Sequence, residues 1–423
     1  MAFSFIHAAD LHLDSPFKGL ERYEGAPEER IKGATREAFR NLVDLALEKE
    51  VQFVLIAGDL FDRDWEDFNT GIFFCNEVNR LKESGIRVFL VAGNHDYIGK
   101  ITFNLPYPGH VIQFDSKKAE SIALDDLGVL IHGRSFNNRE VEPGFVEGYP
   151  SGKAGFFNIG LLHTSATGFS EHEPYAPCTV NDLLGKKYQY WALGHIHKRM
   201  LLNEDPPVLF PGNIQGRHIR EQGDKGCTLV TVDEGRVTRM EHYSLDVLRW
   251  FQVDIDLKGI DESGFDRHLG ESLEAFLKTH GTEDGRLLAI RICLKGETSL
   301  DCGIRADLDS FRARAQVQVN TIGGPRMWLE TVKAETTTKT ALERLSHDNP
   351  FLAGLLQRIE AMDAAGQLEE ELASSHKDLE NKLVKYREQI PMVSPGQDSK
   401  ELKDLLLDTR QILLSKLTGG KNR

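Results

Sequence analysis

Arg87-Val88-Phe89-Leu90-Val91-Ala92-Gly93-Asn94-His95-Asp96 runs from an apolar stretch through a glycine into an amide, an imidazole and a carboxylate side by side. The run has the composition of a buried strand, and the glycine lets the backbone turn sharply at its end. Taken alone, Gly-Asn-His-Asp is equally an ordinary polar turn. What decides between the two is whether other metal-ligand residues arrive in the same way.

They do, on both sides. Phe3-Ser4-Phe5-Ile6-His7-Ala8 leads to Asp10-Leu11-His12, and Val51-Gln52-Phe53-Val54-Leu55-Ile56-Ala57 leads to Gly58-Asp59-Leu60-Phe61-Asp62. Ile159-Gly160-Leu161-Leu162 ends at His163, and Tyr190-Trp191-Ala192-Leu193 delivers Gly194-His195-Ile196-His197. In α/β sheets the loops at the carboxyl ends of neighbouring strands converge on one crevice, so these residues can meet although far apart in the chain. Between the runs, Ala34, Ala38, Leu42, Leu45 and Ala46 at three- and four-residue spacing predict a helix over 33–49, and a second is expected over 69–83, ending at Gly85. The alternation is that of a layered α/β domain.

Carboxylate, imidazole and amide oxygen without thiolate suit borderline-hard dications, manganese foremost, with iron or zinc as alternatives. Asp59 is the natural shared ligand of two such ions, since a carboxylate has two oxygens and paired catalytic metals sit about 3.5–4 Å apart. The expected chemistry is phosphoester hydrolysis.

With 423 residues the chain exceeds what one hydrophobic core organises, so two or three domains are expected. The sequence opens directly into a strand, and no stretch approaches the roughly 18 apolar residues of a membrane span, which points to a cytoplasmic protein without membrane contact. Five scattered cysteines form no Cys-x-x-Cys pair and read as buried thiols. A net charge of −14 excludes a protein that coats nucleic acid by charge alone, but not an enzyme that grips phosphodiesters locally. Composition shifts near residue 248. The expected division is 1–247, then a small α/β unit over 248–335 with helices near 265–280 and 307–316, then amphipathic helices over 336–423 broken by a linker at 391–399. The last helix, carrying Leu402, Leu405, Leu406, Ile412, Leu413 and Leu417, is a candidate partner-binding face.

The blocks Asp10-x-His12, Gly58-Asp59-x-x-Asp62, Gly93-Asn94-His95-Asp96, His163 and Gly194-His195-x-His197 together resemble the calcineurin-like metallophosphoesterases. The resemblance implies an α/β/β/α sandwich. It implies one metal on Asp10, His12, Asp59 and His197, and a second on Asp59, Asn94, His163 and His195. It also implies that His95 binds no metal, contacts the scissile phosphate and assists the leaving oxygen, oriented by Asp96. Asp10-Leu11-His12-Leu13-Asp14-Ser15-Pro16-Phe17 and Pro211-Gly212-Asn213-Ile214-Gln215-Gly216-Arg217-His218 are similar to the YhaO-type DNA-repair exonucleases, relatives of the SbcD nuclease. That likeness implies DNA as substrate, the middle unit as a cap, and C-terminal helices that dock on a coiled-coil ABC-type ATPase. Homodimerisation is left open. A small-molecule phosphodiesterase or protein phosphatase of the same superfamily is the alternative, and a non-enzymatic scaffold the third.

Among the remaining residues, Arg217, His218 and Arg220 are candidates to hold a phosphodiester backbone, weighed against a solvated loop. His7 and His132 read as satisfied core histidines or as supports behind the ligands. Asp62 reads as orienting a ligand or capping the next segment, and Asp14 is ambiguous between these roles.

Overall fold

The computed structural model describes residues 2–15, 27–62, 68–98, 106–138, 144–166, 176–281 and 285–337, with Gly354 and Arg358. The expected C-terminal helices and the leucine face at 402–417 lie outside the described residues. By compactness the chain divides into two units. The first holds Met1–Gln252, Gly281–Ile290 and Pro325–Glu330, and the second Val253–His280, Arg291–Gly324 and Thr331–Arg423.

In chain order the first unit contains β1 (Phe3–Ala8), α1 (Glu28–Glu48), β2 (Phe53–Ala57), α2 (Phe68–Lys82), β3 (Arg87–Val91), β4 (Val111–Gln113), β5 (Glu120–Leu124) and β6 (Val129–Gly133). These are followed by β7 (Phe157–His163), α3 (Val180–Leu184), β8 (Tyr190–Gly194), β9 (Met200–Glu204), β10 (Pro207–Phe210), β11 (Gly226–Asp233) and β12 (Arg236–Ser244). Two six-stranded sheets result, ordered β12-β11-β1-β2-β3-β4 and β5-β6-β7-β8-β10-β9. In each, four parallel strands form the body, and antiparallel strands flank it.

Burial on both faces explains why these strands are apolar runs with little polar alternation. Successive side chains still point to opposite faces. Phe5, Phe53, Leu55, Phe89 and Val91 meet Ile159, Leu161, Tyr190, Ala192 and Leu209 in a core between the two sheets. Their neighbours Ile6, Val54, Ile56, Val88 and Leu90 face outward onto Ala38, Phe39, Leu42 and Val43 of α1 and Phe74 and Val78 of α2. On the second sheet, Leu162, Trp191 and Leu193 turn outward to a third cluster with Leu183 of α3. The arrangement is the expected α/β/β/α sandwich. α1 begins five residues before the expected start at 33, because Glu28 and Glu29 place negative charge on its first turn and Ile31 and Ala34 are buried.

The strands β13 (Leu248–Asp256), β14 (Leu287–Glu297) and β15 (Met327–Thr337) form a three-stranded sheet in that order. The helices α4 (Phe265–His280), α5 (Asp301–Ala306) and α6 (Leu308–Gly323) belong to the second unit. There Phe265 of α4 meets Phe311 of α6 edge-on with centroids 5.0 Å apart, and Arg314 stacks on both rings. The expected boundary at 247/248 gave 248–252, 281–290 and 325–330 to the second domain. They fall in the first unit because Leu287, Ala289 and Trp328 pack with Leu248, Trp250, Ile31, Ala34 and Ile219 in one cluster.

Candidate metal centre

The ends of β1, β2 and β3 in one sheet and of β7 and β8 in the other bring Asp10, His12, Asp59, Asn94, His163, His195 and His197 together. Asp10, His12 and His197 offer ligand atoms within 4.8 Å of one another, and so do Asp10, Asp59 and His163. Asp59 Oδ2 lies 3.7 Å from His12 Nε2 and 3.5 Å from His163 Nε2, so a single oxygen faces both groups. Asn94 Oδ1 lies 2.9 Å from His163 Nε2 and 3.2 Å from His195 Nδ1.

Such convergence demands unusual backbone. Asp10, His12 and Asp59 have φ of 53°, 44° and 51°, and His195 has 110°. Each such left-handed or stranger conformation costs a non-glycine residue about 1–3 kcal/mol, a strain concentrated where function requires it. Close approach sets two glycines. A Cβ on Gly93 would come 2.3 Å from Asp59 Oδ1, and one on Gly194 1.8 Å from the carbonyl oxygen of Ala57. Glycine at these positions lets the strand ends come close enough to share ions.

The donor set fits divalent cations on grounds independent of pattern. His163 Nδ1 is 2.9 Å from the Ala57 carbonyl, which only accepts, so this nitrogen carries the proton. Burial lowers the pKa of His163, which keeps the ring neutral and leaves Nε2 as a lone pair aimed at another acceptor, Asn94 Oδ1. His197 repeats the arrangement. Its Nδ1 lies 2.6 Å from Glu221 Oε1, and its Nε2 faces His12 Nε2 at 3.2 Å. Burial first, then the charge of Arg217, holds His12 well below the ordinary histidine value. Asp10 is pushed well up by burial and by the Asp59 carboxylate. Imidazole lone pairs of His163 and His197 turned inward, and the unpartnered Nδ1 of His12, beside two buried acids suit a bound cation.

His95 is not one of the expected metal ligands, although it forms a third close group with His12 and Asp62, whose ligand atoms lie within 4.8 Å of one another. Its Nδ1 is 2.7 Å from Asp62 Oδ1, and its backbone N–H donates to Asp59 Oδ1 at 3.0 Å. Against its burial, the hydrogen bond to Asp62 and the charge of Asp59 raise its pKa. The expectation that Asp96 orients His95 is corrected. Asp96 accepts from the backbone N–H groups of Gly93 (2.7 Å), Leu60 (2.8 Å) and Phe61 (3.4 Å), closing its own turn and tying it to the Asp59 loop. Burial and the neighbouring Asp59 push Asp96 up to about 7.

The three basic candidates separate. Arg217 is only 16% exposed and sits among Asp62, Glu221 and Ser15. His218 is 54% exposed, 3.7 Å from Glu221, and Arg220 is exposed. Glu221, one residue past the basic candidates, went unrecognised in the sequence. It accepts from His197 Nδ1, from Asn213 Nδ2 at 3.0 Å and from the Arg217 backbone at 2.7 Å. A lone glutamate in a charged loop carries no pattern that distinguishes it. Asp14 is held bidentately by the Nε and Nη2 edge of Arg36 and accepts from Thr70. His7 bridges Tyr190 Oη and the Leu193 carbonyl, and His132 bridges Ser121 and Asn158, as core histidines do. Among the described residues, no helix is long and apolar enough to cross a membrane.

Residues 3–199 match the calcineurin-like phosphoesterase family, and residues 250–337 match the middle domain of metallophosphoesterase YhaO. The chain is 34% identical over 373 residues to the uncharacterized metallophosphoesterase YhaO of Bacillus subtilis (strain 168), covering 86% of this chain and 89% of that one. It is 26% identical over 275 residues to the DNA double-strand break repair protein Mre11 of Sulfurisphaera tokodaii, covering 61% of this chain and 66% of that one. The crystal structure of TT1561 of Thermus thermophilus aligns over 58% of this chain and 100% of its own, at 14% identity and a TM-score of 0.35.

Proposed function

Because this chain belongs to the YhaO-type branch of the calcineurin-like metallophosphoesterases, we propose that it is a two-metal phosphodiesterase that hydrolyses DNA, a repair exonuclease using manganese. The observation that carries the reading is His95, an imidazole held by Asp62 at 2.7 Å and set beside the seven ligand-type side chains. An imidazole not committed to a metal can deliver a proton, and the leaving alkoxide of a phosphodiester needs one. The similarity to a DNA double-strand break repair protein favours DNA over the alternative substrates.

On this reading Asp10, His12, Asp59 and His197 hold one ion, and Asp59, Asn94, His163 and His195 the other. The ions, when bound, supply positive charge that polarises the phosphoryl oxygens and acidifies the attacking water. Glu221 fixes the His197 tautomer so that Nε2 faces inward, and the Ala57 carbonyl does the same for His163. Asp62 fixes His95 with Nδ1 engaged, leaving Nε2 to donate to the leaving oxygen. His218 and Arg220, at the exposed margin of the same loop, contact the flanking backbone phosphates. The helices expected over 336–423 dock a coiled-coil ABC-type ATPase.

Incubation of the purified protein with manganese and end-labelled single- and double-stranded DNA tests the reading. Nucleotide release that an Asn94→Ala variant and an EDTA control both abolish supports it. Turnover of cyclic nucleotides or phosphopeptides, with none on DNA even beside the partner ATPase, overturns the DNA assignment.

A further inference from the structure

We propose that Arg217 is a positioning residue that straps together the two carboxylates behind the two working imidazoles, Asp62 behind His95 and Glu221 behind His197. The inference rests on the phosphodiesterase reading above and revises the expectation that Arg217 grips substrate phosphate.

The guanidinium is already engaged. Nη1 lies 3.4 Å from Asp62 Oδ2 and 3.2 Å from Ser15 Oγ, which itself donates to Asp62 at 2.5 Å. Nη2 lies 3.4 Å from Glu221 Oε1 and equally 3.4 Å from the His197 Nδ1 that Glu221 holds, and the Arg217 backbone N–H donates to Glu221 Oε2 at 2.7 Å. Each carboxylate passes the constraint on, Asp62 to His95 Nδ1 and Glu221 to His197 Nδ1. Between the two imidazoles stands His12, whose ring meets that of His95 at 4.8 Å and that of His197 at 5.0 Å, both edge-on. One planar cation therefore sits behind both the proton donor and a metal ligand. A guanidinium spans two acids because its donors lie along separate edges of a rigid plane, whereas an ammonium is a single point charge.

The strap has its own anchor. The Gly216 carbonyl accepts from Trp250 Nε1 at 3.0 Å, and Ile219 is buried with Trp250 and Trp328. The loop thus presents Arg217 from a packed base on either side.

The test compares wild type with Arg217→Met, Arg217→Lys and Arg217→Gln. Manganese affinity of the metal-stripped proteins is measured by calorimetric titration. kcat and KM at saturating manganese are measured on bis(p-nitrophenyl) phosphate and on an end-labelled oligonucleotide, with thermal melts to establish folding. All three variants should bind manganese roughly 10–100-fold more weakly, and kcat should fall about 10-fold or more on both substrates while KM moves less than about 3-fold. Glu221→Gln should reproduce the loss of affinity and Asp62→Asn the loss of kcat. Unchanged manganese affinity with a raised KM on the oligonucleotide alone makes Arg217 a phosphate contact and overturns the strap. Full wild-type values in Arg217→Lys overturn it too, since charge alone then suffices. A wild type inactive on both diesters defeats the phosphodiesterase reading, while the manganese titrations still decide the strap. If Arg217→Met does not fold, the lysine and glutamine variants carry the comparison.

Discussion

His95 Nδ1 lies 2.7 Å from Asp62 Oδ1, while the carboxylate of Asp96, its neighbour in the chain, is spent on three backbone N–H groups. The two acids therefore fail differently. Asp62→Asn should retain bound manganese and lose about 10–100-fold in kcat through misorientation of His95. Asp96→Asn weakens the acceptor of three N–H groups and should cost about 1–3 kcal/mol of stability, read as a lower melting temperature. Equal effects of both on kcat, with no change in melting, would contradict this division.

Asn94 and His95 are adjacent but face different tasks. Asn94→Ala should lose one of two manganese ions per chain by elemental analysis, together with activity. His95→Gln should keep both ions and still lose about 10²–10⁴-fold in turnover. Matching metal loss in the two variants would remove His95 from its proposed role.

Gly93 faces the two ligands it separates. Its missing Cβ would fall 2.3 Å from Asp59 Oδ1 and 2.9 Å from His163. Gly93→Ala should therefore cost about 1–3 kcal/mol of stability and weaken manganese binding at once. A variant with wild-type melting and metal content would mean that the loop yields freely.

His7, buried between the sheets, is held at about 3 by desolvation, against an ordinary value of 6.5. The unfolded chain takes up a proton below pH 6.5 that the folded chain refuses until about pH 3. The contribution of His7 to stability is thus full above that upper value and falls as pH drops towards the lower one. By pH 5 the loss is about 2 kcal/mol. His7→Gln keeps a donor and an acceptor for Leu193 and Tyr190 without titrating. Its stability should fall less than that of wild type between pH 7 and pH 5 in urea denaturation, and parallel declines would count against the assignment.

Much of this site is written in the sequence because each ligand follows a strand that is unmistakably apolar. Asp10, Asp59, Asn94, His163 and His195 are each announced by the run before them. Hydrogen-bond partners are another matter. Asp62 and Asp96 stand at similar distances from obvious landmarks, and only the path of the turn decides which one reaches His95. Glu221 is set by a loop whose conformation depends on Trp250 and Trp328, far along the chain. Several flanking strands also escape notice. β12 reads Arg-Val-Thr-Arg-Met-Glu-His-Tyr-Ser and has no fully buried residue, so its pairing with β11 leaves no apolar signature. β15 follows α6 after one short 3-10 turn and belongs to a sheet whose other strands lie 30 or more residues earlier, a pairing that local pattern does not specify.

Each proposed ion draws ligands from both sheets, the first from Asp10, His12 and Asp59 with His197, the second from Asp59 and Asn94 with His163 and His195. During synthesis the chain emerges from its N-terminus, and β7 and β8, which lead to His163, His195 and His197, follow β1, β2 and β3 with β4, β5 and β6 between. Neither set can close until residues 195–197 have left the ribosome. On the proposed reading the nascent protein therefore gains hydrolytic power only after the last ligand-bearing strand end, that of β8, has emerged.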